Sequence, residues 1–315
     1  MRFKLLYVLI TLFLSCNILV AQTKTGKTYK ISRYDYIYLP LGKISFADSI
    51  VSFKMGTPAP QLKYRDSSQC LHEPNYVSYK TPNFLSLGCS GTLIVSFLDN
   101  GFMNLKGNDI YVFEVGSEKE AASIEISENG IDWVKAGSIS GGKSSIDLNE
   151  YNIPTDVIYY YLKIIDLRGY CKSKSAGADI DAIGAINSVL KIDINADVLF
   201  DVAKYNLKKS SKQTLDSLTK TIQQVDKATI VIEGHTDSDG EDEYNFQLSK
   251  KRCQTVKDKL KLLFGSSANY DYVLKPMGET KPRVANDSPL NKQMNRRVEI
   301  TVVPPKDYYD SLPDD

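Results

Sequence analysis

The chain is poor in histidine, in tryptophan and in net charge. Two histidines, His72 and His235, and one tryptophan, Trp133, occur in 315 residues. No metal ligand or nucleophile can be paired with His235, so it reads as a hydrogen-bonded structural residue and no residue reads as catalytic. Basic and acidic residues number 39 and 38, for a formal net charge of +1. That balance gives no bulk attraction to nucleic acid or to an anionic membrane, so any basic side chain that matters acts locally. After the first 21 residues no apolar run is long enough to span a bilayer as a helix. The strand-like runs are too irregular and glycine-interrupted for a transmembrane barrel. Internal repeats and long low-complexity linkers are missing too.

What is present begins with an address. Arg2 and Lys4 precede the apolar run from Leu5 to Val20, which ends at Ala21-Gln22. This pattern is a secretory signal peptide over residues 1–21 and predicts export. The run is broken by Thr11, Ser15 and Asn17 and falls short of the roughly 20 apolar residues of a spanning anchor. Lipidation at Cys16 is a third reading, against which Phe13-Leu14-Ser15 is a poor lipobox. Export leaves Cys70, Cys89, Cys171 and Cys253, an even count that permits disulfides. Cys70 with Cys89 is the expected pair, since both fall in one loop-rich stretch. Cys253, beside apolar helix positions, is expected to be a small buried residue.

Two patterns divide the rest. After an N-terminal segment, 22–43, residues 44–188 read as short β-branched and aromatic runs such as Leu93–Phe97, Asp109–Phe113, Ser123–Ile126 and Tyr159–Ile165. Turn signals, Asn129-Gly130 and Gly141-Gly142, lie between them, and the whole suggests a β-sandwich. From 189 to 304 the period changes. Val198 and Phe200 suggest a strand; Leu215, Leu218, Ile222 and Val225 a helix; Ile230–Ile232 a strand. Leu248, Val256, Leu260 and Leu263 then mark a second helix, and Tyr272–Leu274 and Val298, Ile300 and Val302 two further strands. The order β-α-β-α-β-β is an α/β sandwich with helices over one sheet face. Residues 305–315 form an acidic tail.

The second half contains a binding constellation. Asp237 follows the strand at Ile230–Glu233, in a turn with Ser238 and Gly240, and Arg252 lies fifteen positions later. Asn245, Leu248, Ser249 and Arg252 follow i, i+3, i+4, i+7 and share one helix face. Strand end and helix face can therefore meet at one pocket. The aspartate suits an ammonium and the arginine a carboxylate, so the fitting ligand carries both groups. A plain salt bridge between Asp237 and Arg252 is the alternative. An EF-hand reading of Asp237–Glu241 fails, because the glycine falls fourth rather than sixth.

Gly234-His235-Thr236-Asp237, Gly240, Tyr244-Asn245, Leu248-Ser249, Arg252 and Asn295-Arg296-Arg297-Val298-Glu299-Ile300 together resemble the OmpA-like peptidoglycan-binding domain, over about 194–303. The resemblance implies that Asp237 and Arg252 bind the diaminopimelate of the peptidoglycan stem peptide, with Thr236, Asn245 and Arg296 beside them. One departure is Lys251-Arg252-Cys253, where the family commonly has small residues around the arginine.

The first half is similar to galactose-binding-like jelly-roll modules of secreted bacterial surface proteins. The likeness rests on Leu85–Gly88, Gly107–Glu114, Ser127–Trp133 and Gly177–Ile183, with Phe46-Ala47-Asp48 at its start. Asp109, Glu114, Asp179 and Asp181 could bring oxygen ligands to a structural calcium, or could mark turns at strand ends. Trp133 and the tyrosines near Tyr159 could stack on sugars or fill a core. The whole reads as a non-enzymatic, exported protein of the periplasm, associated with the cell wall and the outer membrane. Peptidoglycan is its expected partner; envelope glycans or outer-membrane proteins are further ones, and nucleic acid is not. A glycan-acting envelope enzyme or a surface carbohydrate-binding lectin stands as the alternative.

Overall fold

The computed structural model describes residues 26–305, apart from 33, 81–82, 116–119, 141–143, 169–170 and 267. The expected signal peptide with Cys16, and the tail beyond 305, lie outside the described residues.

The first half is almost all strand. β1 (Lys27–Lys30) and β2 (Tyr36–Leu39) form an antiparallel ribbon. There follow β3 (Ser49–Lys54), β4 (Leu85–Ser86), β5 (Thr92–Ser96), β6 (Asn100–Phe102) and β7 (Ile110–Glu114). Next come β8 (Ala122–Ser127), β9 (Val134–Ile139), β10 (Ser145–Ile146), β11 (Tyr161–Asp166) and β12 (Asp179–Ala185). They make one sheet of order β10-β7-β12-β4 and another of order β3-β5-β11-β8-β9. One apolar core lies between the sheets: Ile110, Val112, Ile180 and Ile183 come from the first, and Leu93, Val95, Ile124, Ile126, Leu162 and Ile164 from the second. β11 alternates buried and half-exposed residues, as a strand with one covered face must. β12 is buried at every position because its other face is covered as well. There Ala182 packs with Tyr29, Leu39, Phe46 and Phe113, so the ribbon seals the outer side.

The turn expected at Asn129-Gly130 joins β8 to β9. Gly130 takes the positive φ of 78°, and Asn129 Oδ1 accepts from the amides of Ile131 and Asp132. The side chain thus closes the turn that glycine's backbone freedom permits.

The second half is built from β13 (Ser188–Asn195), α1 (Ala196–Leu199), α2 (Lys212–Ile222), β14 (Lys227–His235), α3 (Asp242–Phe264), β15 (Asn269–Gly278), α4 (Pro289–Asn295) and β16 (Arg297–Val303). Its sheet runs β15-β14-β16-β13-β6, with β14 and β15 parallel and the other pairs antiparallel. Ile230, Ile232, Val298, Ile300 and Val302 pack against Leu215 and Leu218 of α2 and Val256 and Leu260 of α3. The helices therefore cover one face, as the period change predicts.

Three expectations are corrected. Val198 lies on a helical turn, not a strand: Asn195 Oδ1 accepts from the Asp197 amide and caps α1. Phe200 lies just beyond that turn and makes an isolated bridge with Leu207. The disulfide joins Cys89 to Cys171, with Cα atoms 5.5 Å apart, and Cys70 and Cys253 are free and buried. Cys70 points into the core and donates to the Ser67 carbonyl, whereas close backbone approaches bring the strand ends around Cys89 together. A Cβ on Gly177 would lie 2.4 Å from the Gly88 carbonyl oxygen. The expected calcium quartet is also not brought to one point, because Asp109 stands apart from the rest. Asp109 precedes β7 while Glu114 ends it, about 17 Å of strand away. Asp109 accepts from the amides of Leu105 and Leu148 and from Asn187, and Asp181 from the amides of Asn75 and Tyr76. Asp179 accepts from Ser86 and Glu114 from Ser144. Among the described residues no group of three or more His, Cys, Asp or Glu side chains is placed to hold a metal ion.

The Cys89–Cys171 bridge spans a sequence separation of 82. A closed loop of that length restrains the unfolded chain by about 4 kcal/mol. Peptide mapping without reductant should recover this linkage, and reduction should lower the melting temperature accordingly. A Cys70–Cys89 peptide would contradict the fold.

Candidate functional site

The site lies where β14 ends and α3 begins. β14 can approach α3 closely because position 234 is glycine: a Cβ there would lie 2.7 Å from Cys253 Sγ and 2.9 Å from the Ser249 carbonyl oxygen. Ser249 Oγ accepts from the Gly278 amide, and the Gly278 carbonyl accepts from the Thr236 amide. These bonds fix the chain on both sides of Gly278, whose φ is 55°. Asp242 and Glu243 occupy the first turn of α3 and complement its positive end.

The predicted face of α3 is the one turned inward: Asn245, Leu248, Ser249 and Arg252 are all buried. Cys253 is buried beside them against Gly234, as a small residue should be. Lys251, where the resemblance leads one to expect a small residue, points its Nζ to within 5.2 Å of the centre of the Tyr205 ring.

Arg252 is the unusual group. Its side chain is buried at 3% exposure, yet among the described residues it forms no ion pair. Nε donates to the Lys204 carbonyl at 3.0 Å, and the guanidinium stands 5.1 Å over the Phe200 ring. Burial pulls its pKa below the ordinary arginine value, opposed by Asp197 and Asp237 nearby. A buried cation without a partner is costly, and a carboxylate arriving from outside would relieve it.

Asp237 and Arg252 are not joined in a salt bridge. Asp237 Oδ2 instead accepts from Arg296 Nη1 at 2.6 Å. Arg296 also grips Asp197 with two bonds, Nε to Oδ1 at 3.0 Å and Nη2 to Oδ2 at 2.8 Å. Its pKa is raised, chiefly by the bonds to Asp197. Asp237 Oδ1 accepts a longer bond, 3.3 Å, from the Asp239 amide. Asn245 Nδ2 faces the carbonyls of Asp237 and Asp239 and the Glu279 carboxylate at 2.6 Å, which holds the loop to α3. Thr236 Oγ1 is buried without a hydrogen-bond partner.

The five expected residues thus come together, with different duties. Asp197, Phe200, Lys204 and Glu279 join them and were not foreseen. For Asp197 the sole sequence sign is the capping pattern of Asn195-Ala196-Asp197. His235 differs from expectation: it is buried, but neither ring nitrogen has a hydrogen-bond partner, and Glu299 Oε1 lies 3.9 Å from Nε2. Burial, then Arg297, lowers its pKa to about 4, so the ring is neutral at pH 7.

Residues 199–296 match the OmpA family. Outer membrane protein A of Bordetella avium is 36% identical over 113 residues, which are 36% of this chain and 57% of that protein. Outer membrane porin F of Pseudomonas aeruginosa is 32% identical over 134 residues, 42% of this chain and 37% of that protein. The chain therefore spans about half, or less, of these relatives' lengths. A solved structure of the peptidoglycan-associated lipoprotein from Burkholderia pseudomallei is 28% identical, covering 33% of this chain and 87% of that one at a TM-score of 0.29.

The lowered pKa of His235 makes stability depend on pH. The unfolded side chain protonates near 6.5 and the folded one near 4, so this contribution is complete above about 6.5 and fades as pH falls toward 4. The loss is on the order of 2–3 kcal/mol. Denaturant melts between pH 7 and 4.5 should show it, with a flatter profile for His235→Gln. Equal slopes for both proteins would remove His235 from the account.

Proposed function

We propose that residues 189–304 bind peptidoglycan non-covalently and thereby hold an exported, β-rich domain in the cell envelope. The observation that carries this reading is the buried, unpaired guanidinium of Arg252 close to the carboxylate of Asp237. The match of residues 199–296 to the OmpA family supports it. In this reading the ligand is the diaminopimelate of the stem peptide, a side chain that ends in both an ammonium and a carboxylate. Arg252 receives the carboxylate with donors that no side chain among the described residues takes. Asp237 receives the ammonium through oxygen capacity left beside Arg296. Thr236 Oγ1, buried and unpartnered, is a third contact. Asn245 shapes the loop, and Arg296 orients Asp237.

No reaction is assigned to the site. Recognition by charge placement is sufficient for anchoring, and the location this implies is the periplasmic face of the envelope, at the wall and the outer membrane. Residues 44–188 form, in this reading, a jelly-roll sandwich of the galactose-binding-like kind; two sheets closing on one core support it. That domain is the recognition or scaffold part of the protein.

Co-sedimentation with purified sacculi tests the anchor. Asp237→Ala and Arg252→Ala should each weaken binding by at least about 30-fold, the weight of a buried charge-assisted contact. Arg252→Met, which removes an unpaired buried charge at similar volume, should lose binding while keeping or gaining thermal stability. Undiminished sedimentation of these variants would defeat the reading. Lysine-type peptidoglycan, whose side chain lacks the second carboxylate, should bind more weakly than the diaminopimelate type; equal binding would defeat the choice of ligand.

A further inference from the structure

One end of the sandwich buries two acidic groups, Glu120 and Asp179, on which no cation among the described residues bears. Glu120 is 9% exposed, and its Oε2 is buried without a hydrogen-bond partner. The charges that bear on it are Asp179, Asp166 and Glu114, all acidic. Asp179, also buried, accepts from the hydroxyls of Ser86, Ser175 and Tyr79. Burial and then Asp179 push Glu120 up to about 9, and burial pushes Asp179 up to about 7. Among the described residues, these acids have no basic complement.

Aromatic rings adjoin these acids. Tyr79 meets Phe84 edge-on at 5.3 Å and Tyr76 at 5.7 Å, and Tyr64 stacks on Phe84 at 5.0 Å. Tyr79 is 40% exposed, so the cluster opens to solvent on that side. The Lys63 ammonium already lies 4.6 Å from the Tyr64 ring centre, on one ring of the cluster. Tyr79 is tied to both parts, since its hydroxyl donates to Asp179 and Glu120 also bears on it. We infer that this end of the sandwich binds an organic ammonium ion, which Glu120 and Asp179 meet as carboxylates by giving up their protons to solvent, with the rings of Tyr76 and Tyr79 as its walls. Ring faces attract alkylammonium groups, and buried carboxylates strengthen that attraction. A hard metal ion would need several converging oxygens, which the described residues do not provide.

The test uses the exported chain and two probes of one shape. Choline carries the charge; 3,3-dimethyl-1-butanol is its neutral counterpart. Calorimetric titration at constant ionic strength should show saturable choline binding and at least about tenfold weaker binding of the alcohol. Glu120→Gln, which is close in shape to the protonated acid and should fold, and Tyr79→Leu should each weaken choline binding roughly tenfold. In the wild-type protein the ring-proton resonances of Tyr76 and Tyr79 should move as choline is added. No saturable binding, equal affinity for both probes, unshifted rings, or unchanged affinity in both variants would each overturn the inference.

Discussion

The fork of Arg296 is the interaction on which the C-terminal site depends. It joins Asp197, at the start of α1, to Asp237, in the loop after β14, from its own place at the entry to β16. Three segments distant in sequence meet at one guanidinium. Because Arg296 attends to both carboxylates, Arg252 is left with a carbonyl and a ring face. The neighbouring loops are closed in the same manner by single polar side chains. Asn245 holds the loop after β14. Asn295 accepts from the amides of Arg283 and Val284 and donates to the Val284 carbonyl and to Asn286. Each buried amide saturates backbone groups that would otherwise be orphaned, so the cleft keeps its shape before any ligand arrives.

What could be read in advance follows from which interactions are local. The face of α3 was legible because helical period and burial are one constraint: residues at i, i+3, i+4 and i+7 must turn the same way. The alternation in β14 and β16 was legible for the same reason. The glycine at 234 and the acid at 237 sit within one turn of chain, so their proximity needed no tertiary knowledge.

The misses are contacts between distant segments. Asp197 lies 99 residues from Arg296, and no spacing rule connects them. Cys89 found Cys171 rather than the nearer Cys70, since strand pairing and not sequence distance sets which thiols meet. The acids at Asp109 and Glu114 looked like one group in a line of letters, but a strand separates its two ends by its length. Val198 looked like strand by composition, and a capping asparagine three positions earlier decided otherwise. His235 was expected to be hydrogen-bonded, and only the packing around it shows a neutral ring without partners.

β6 belongs by sequence to the sandwich and by hydrogen bonds to the C-terminal sheet. Phe102, Gly101 and Asn100 pair with Ser188, Val189 and Leu190 of β13. The Lys191 ammonium adds a contact to the Tyr160 ring across the same seam. Two units joined by a flexible tether would sample a volume set by tether length. Here the seam has no slack. A pull that separates sandwich from C-terminal unit meets a row of backbone hydrogen bonds rather than a hinge, so orientation as well as distance would be transmitted from one to the other. Whatever the sandwich faces, it faces in a direction set by the sheet it extends.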